Sequence, residues 1–169
     1  MNESEMTLGT DYTTDVNPAG WLVSEKMNGC RAYWDGSQFW TRGGNVISAP
    51  AWFMEGLPTS HLDGEIWAGR ESFEEARLAV QFGRWTRRCR FVAFDAPAFQ
   101  GTWARRMRGA EHIWRDVVKF EPVKSRAGLM KRLREVKNWG GEGLMIRNSE
   151  TTGYETGKTS NLLKVKVAF

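Results

Sequence analysis

From residue 21 onward, short apolar segments are separated by turn residues, whereas the twenty residues before it are almost wholly polar. Short apolar segments over 21–26, 31–34 and 38–42, bounded by turn residues, predict three strands. Between them, Asn28-Gly29 and Asp35-Gly36 are dipeptides that favour tight hairpin turns, and Gly43-Gly44 ends the third. Ser72 with Glu75 three residues later has the spacing of a capping box and predicts a helix to about residue 81. An apolar strand over 90–94 stops at Asp95-Ala96-Pro97. Two more helices are predicted over 111–118 and 126–137. In the second, Leu129, Met130, Leu133 and Val136 make one apolar face. Strands over 143–147 and 162–167 follow. The elements mix without the regular alternation of a doubly wound sheet, which favours an α+β fold. Residues 1–20 hold so little core-forming material that a polar, loosely ordered lead-in is expected there, ending at the Asn17-Pro18-Ala19-Gly20 turn. The folded domain is expected over 21–169.

Composition narrows the class. At 169 residues, with 41% hydrophobic positions, one domain can bury a core without disulfides. Cys30 and Cys89 sit in no metal-ligand spacing and are expected to stay reduced in a cytoplasmic setting, in a bacterium or a phage-infected cell. No stretch approaches the roughly 20 apolar residues of a membrane span. Nine Trp is a high count, and some of these rings are candidates for stacking on bases. The net charge of +4 is a mild pointer to an anionic partner. Arginines also cluster beside tryptophan: Arg84, Arg87, Arg88 and Arg90 around Trp85, and Arg105, Arg106 and Arg108 after Trp103. Such clusters suit a nucleic-acid backbone.

Five short motifs run in order, each at a strand end or turn: Lys26-Met27-Asn28-Gly29-Cys30-Arg31, Leu62-Asp63-Gly64-Glu65, Phe91-Val92-Ala93-Phe94-Asp95, Glu142-Gly143-Leu144-Met145-Ile146-Arg147 and Leu163-Lys164-Val165-Lys166. Singly each is weak; the ordered set is not. A lysine amine is nucleophilic only when uncharged, which calls for partial burial beside other cations. Lys164 and Lys166 alternate with apolar neighbours and so project to one face, where they are placed to supply that charge.

This order resembles motifs I, III, IIIa, IV and V of the covalent nucleotidyltransferases, and especially the ATP-dependent DNA ligases of the compact type E group. Ser24-Glu25-Lys26, residues 31–36, residues 62–67 and the run through Tyr154, Gly157 and Ser160 to Lys166 carry that likeness. The resemblance implies a nucleotidyltransferase domain, ATP-grasp-like, of two mainly antiparallel sheets flanked by helices, with the nucleotide pocket between them. It implies ATP as substrate and a covalent lysyl-AMP on Lys26, with Lys164 and Lys166 as catalytic partners. Ser24, Glu25, Arg31, Glu65, Phe94, Glu142 and Met145 are the further ATP-site candidates. Phe94 is to stack on adenine, with Met145 or Ile146 on the other side. Glu65 and Glu142 are candidates for holding Mg2+ or Mn2+. The implied partner is nicked duplex DNA, with Arg42 on the 5′-phosphate and Arg87 and Arg88 on the backbone.

Two departures qualify the likeness. Asn28 stands where most relatives carry Asp, which keeps shape but removes a charge and draws the RNA ligases closer as an alternative. The chain also ends three residues after Lys166, with no OB-fold domain, so a fragment of a longer protein, a clamp supplied in trans and a non-catalytic nick-binding module are the alternatives. A monomer is expected.

Overall fold

The computed structural model describes residues 1–167; residues 168–169, the end of the expected domain, lie outside the described residues. Ten strands form two five-stranded sheets. The first sheet holds β1 (Thr7–Asp11), β2 (Leu22–Lys26), β8 (Phe120–Pro122), β9 (Gly143–Arg147) and β10 (Gly157–Val165), in the order β1-β10-β9-β2-β8. The second holds β3 (Cys30–Trp34), β4 (Phe39–Thr41), β5 (Val46–Ile47), β6 (Leu62–Trp67) and β7 (Arg90–Asp95), in the order β5-β4-β3-β6-β7. Every pairing is antiparallel except β1 with β10, so the first sheet is mixed.

Strand alternation gives each sheet one apolar and one chemical face. In the first sheet Val23, Leu144, Ile146, Leu163 and Val165 point to helix α4 (Arg126–Asn138), whose stripe Leu129, Met130, Leu133 and Val136 closes that core. In the second, Leu62 and Ile66 pack outward with Phe39, Phe91 and the buried side of helix α3 (Trp103–Ile113). Helices α1 (Ala51–Met54) and α2 (Phe73–Phe82) complete that side. The opposite faces of the two sheets line a cleft.

Several expectations are corrected. The polar N-terminus is not a loose lead-in: a 3-10 turn over Glu3–Glu5 leads into β1, and Met6 and Tyr12 are buried. Its side chains carry little apolar area, but the backbone completes a ladder with β10. Asn28-Gly29 does not make a hairpin, because β2 and β3 lie in different sheets. It is the crossover between them, and a Cβ on Gly29 would lie 2.2 Å from the Ile66 carbonyl oxygen, so only glycine passes there. Asp35-Gly36 does join a paired hairpin, β3 to β4. The expected helix over 111–118 lies earlier, at α3, because Thr102 caps it through Arg105 N–H, and residues 117–118 instead run beside β7. Ser72 precedes α2 without a side-chain cap. Its hydroxyl donates to the Arg70 carbonyl, while Glu75 accepts from Thr86 and pairs with Arg88.

Candidate active site

The crossover at Asn28-Gly29 ends β2 at Lys26 and starts β3 beside Arg31, so one chain segment delivers a residue to each wall of the cleft. The cleft has a volume of about 710 Å³. Ser24, Glu25, Lys26, Met145 and Lys164 line it from the first sheet, and Arg31, Glu65 and Phe94 from the second.

At the end of the first wall, next to the strands rather than among the residues that line the cleft, Glu142 Oε1 accepts from two ammonium groups at once, Lys26 Nζ at 3.0 Å and Lys166 Nζ at 3.0 Å. The Lys26 side chain is 23% exposed, enough to be reached and too little to be free in solvent. Burial presses the Glu142 carboxyl upward, but hydrogen bonds from both lysines outweigh it and hold the group below its ordinary value. Close approach is built in at Gly143, where a Cβ would sit 2.6 Å from the Val165 carbonyl oxygen and 3.5 Å from Lys166 Cγ. Lys164 lines the cleft but turns to Asp11, 3.5 Å away, rather than to Lys26. The cation nearest Lys26 by shared partner is therefore Lys166. Glu25 is held by Arg70 through two hydrogen bonds of 2.9 and 2.8 Å.

The second wall is more rigid. Arg31 donates to both oxygens of Asp63, at 2.6 and 2.5 Å, and also to the Thr7 carbonyl oxygen. Asp63 is fully buried and takes a further hydrogen bond of 2.6 Å from the Tyr154 hydroxyl. With its carboxylate thus engaged, Arg31 lies over the Phe94 ring at 4.8 Å. Glu65 accepts from the Gly29 N–H at 3.3 Å, and burial pushes its carboxyl up to about 7 despite Arg31 and Lys26 nearby. The same burial, with Glu65 alongside, pushes the Cys30 thiol up to about 11; Cys30 and Cys89 are both unbridged.

Alternation separates Met145 from Ile146. Met145 faces the cleft beside Ser24, its partner in the β2–β9 register, whereas Ile146 is fully buried against α4. Only Met145 is placed to touch a ligand.

Among the basic candidates, Arg42 lines the mouth of the cleft and pairs with Glu3 at 2.5 Å. Arg87 lies over Trp52, and Arg88 is tied to Glu75, the Ala68 carbonyl and Ser72. Arg106 is no surface contact: it is buried in a two-bond pair with Asp95, because its place on the inner side of α3 points it at β7. Sequence reasoning misses Asp63, Tyr154 and Arg147. Asp63 alternates with Glu65, and Arg147 with Met145, so period 2 alone reaches both; Tyr154 sits in a loop and carries no such signal. Arg147 is buried over Trp103 at 4.1 Å and donates to the Ser24 hydroxyl at 3.3 Å. No carboxylate lies within ion-pair distance of it among the described residues, and burial pushes it down to about 10.

No protein-family model matches the chain. A curated relative does: a DNA ligase of Haemophilus influenzae is 34% identical over 158 residues, covering 88% of this chain and 59% of the relative. The chain thus spans about three fifths of that protein's length. Among solved structures, a Lig E DNA ligase superposes with a TM-score of 0.85 at 34% identity, over 96% of this chain and 68% of that one. Chlorella virus DNA ligase-adenylate gives 0.78 at 23% identity, over 97% and 67%, which is a likeness of fold.

Proposed function

This chain belongs to the ATP-dependent DNA ligases, of which it is an adenylation domain, and we propose that it is adenylated on Lys26 and passes AMP to the 5′-phosphate of nicked duplex DNA. The observation that carries the proposal is the shared carboxylate: Glu142 holds Lys26 and Lys166 at 3.0 Å each, and Lys26 lines the cleft together with Arg31 and Glu65.

Lys26 sheds a proton, with Glu142 as the nearest acceptor on its way to solvent. The neutral Nζ then attacks the α-phosphorus of ATP in line; an N–P bond forms, the bond from phosphorus to the bridging oxygen breaks, and pyrophosphate leaves. Once ATP occupies the cleft, its phosphates compete with Glu142 for Lys166, and Lys164 turns from Asp11 to the same charge. Phe94 and Met145 flank the base, Ser24 and Glu25 lie at its edge, and Arg31, fixed by Asp63, addresses the ribose. In the second step the DNA 5′-phosphate displaces Lys26 from the adenylate; in the third a 3′-hydroxyl displaces AMP and seals the strand. Arg42 receives the 5′-phosphate by exchanging its Glu3 partner for it.

A divalent ion fits only in part. No cluster of three His, Cys, Asp or Glu is present among the described residues. Glu65 and Glu142 offer hard oxygen donors, which suits a Mg2+ or Mn2+ carried in on the phosphates and completed by water. When bound, it neutralises charge on the phosphate oxygens.

Incubating the protein with α-labelled ATP and magnesium, then denaturing it, tests the first step. A retained label that vanishes in Lys26→Ala is expected; reversible binding with no retained label would leave a nucleotide- or nick-binding module instead. The second reading is an RNA ligase on the same scaffold, favoured by Asn28 in the first motif. Faster sealing of RNA-containing nicks than of all-DNA nicks would select it.

A further inference from the structure

A second groove of about 650 Å³ adjoins the nucleotide cleft, sharing Ser24, Glu25, Met27 and Val118 with it. Five cations line it from separate parts of the chain: Arg70, Arg90, Arg115, Lys119 and Arg132. Three acids line it too, Glu25, Asp116 and Glu121, so a positive surplus remains. Of its lining, the steps above use only Ser24 and Glu25, where it meets the cleft.

The four arginines share an unusual support. Arg70 and Arg132 lie over Trp139 at 5.3 and 5.2 Å, Arg90 over Trp67 at 5.8 Å, and Arg115 over Trp114 at 4.4 Å. A guanidinium held over an indole by cation–π attraction is restrained in position. Its side-chain entropy is partly lost before any ligand arrives.

Three of the four also have under-used edges; Arg70 is the exception, donating twice to Glu25 at 2.9 and 2.8 Å. Arg90 and Arg115 approach Asp116 only to 3.8 Å each, and Arg132 approaches Glu121 to 3.9 Å; these are attractions, not hydrogen bonds. Arg115 donates once to the Glu55 carbonyl, and Arg132 to Glu135 at 3.4 Å. A guanidinium has five donors, so most of theirs are uncommitted within the protein. Arg31 and Arg106 show the contrast, each closed on a buried carboxylate at 2.5–3.0 Å. Deeper in the groove, the Trp67 indole N–H is buried without a partner, one more donor facing no acceptor.

We propose that this arginine-tryptophan groove binds the phosphodiester backbone of a nucleic-acid strand, as a contact surface separate from the nucleotide cleft. Donors in excess of acceptors call for an acceptor-rich anion. Of the three rings only Trp67 lines the groove, so its lining is richer in cations than in rings, and phosphate rather than bases is the group addressed. Cations spread along a groove suit a polymer better than a compact polyphosphate.

The test is the triple variant Arg90→Gln/Arg115→Gln/Arg132→Gln, titrated with a labelled single strand of about 20 nucleotides over a range of salt. Affinity at low salt is expected to fall about tenfold, and the slope of log K against log salt to shrink by about 2, near 0.7 per lost contact. If the triple variant folds poorly, Arg115→Gln alone is expected to remove about 0.7 of that slope. The proposal is overturned if affinity and slope match wild type. It is equally overturned if Lys131→Gln/Arg134→Gln/Lys137→Gln, on the exposed face of α4, weakens binding as much, or if tripolyphosphate displaces the strand as well as an unlabelled oligonucleotide does. Lysyl-AMP formation from ATP is expected to be unchanged in the triple variant. Failure of labelling in wild type sinks the adenylation reading and leaves the groove's test intact.

Discussion

The two walls of the proposed nucleotide cleft are built from the same kind of strand and hold charge in opposite ways. On the first sheet, Lys26 and Lys166 are long, rotatable ammonium groups around a single, partly exposed carboxylate, Glu142. On the second, Arg31 is a planar guanidinium locked on a buried Asp63, itself bound by Tyr154. The first arrangement breaks and reforms at little cost, because each ion keeps access to water. The second does not, because parting the pair leaves a buried charge without a partner. A nucleophile that must release its partner, change protonation and carry a covalent adduct belongs on the first kind of wall. A surface that must hold a ribose and base in register belongs on the second.

The largest effect expected from this contrast is on stability, at the second wall. Asp63→Ala takes the carboxylate from Arg31 and the acceptor from the Tyr154 hydroxyl, leaving both only their Thr7 hydrogen bonds, and is expected to cost about 3–5 kcal/mol in chemical denaturation. If Asp63→Ala unfolds within about 1 kcal/mol of wild type, the second wall is not rigid in the sense described.

The next effect is on chemistry, at the first wall. Glu142→Gln keeps the shape of the side chain and removes the charge both lysines share. Lysyl-AMP formation is expected to slow about a hundredfold, while denaturation moves by less than about 1 kcal/mol. A loss of stability matching that of Asp63→Ala would erase the distinction between the walls.

Period-2 alternation makes much of this cleft legible in the sequence. It puts Lys164 with Lys166, and residues 143–147 on a strand, and with that strand the choice between Met145 and Ile146 is decidable. What alternation does not carry is which sheet a strand joins. Asn28-Gly29 reads as a hairpin turn on local preference, yet tertiary pairing of β2 with β9 and of β3 with β6 makes it the bridge between walls. Nor does apolar patterning reveal a strand like β1, whose contribution is backbone hydrogen bonding to β10. Arg106 reads as part of a basic surface because it lies between Arg105 and Arg108, which are exposed; only the helical phase of α3 against β7 turns it inward.

A smaller effect separates the walls by pH. Glu65 sits on the rigid side, where burial raises its carboxyl from an ordinary value of 4.5 to about 7. The folded state therefore holds its proton more tightly than the unfolded chain does. The resulting stabilisation is full below pH 4.5 and is lost as pH rises toward 7. Glu65→Gln stays neutral throughout and still accepts from the Gly29 N–H, so it escapes that loss. Relative to wild type, the variant is expected to gain about 3 kcal/mol between pH 4.5 and pH 8, measured as the difference of two denaturation curves. A difference that stays flat across that range would mean Glu65 is as accessible to water as Glu142, and the second wall would then lose its claim to be the dry one.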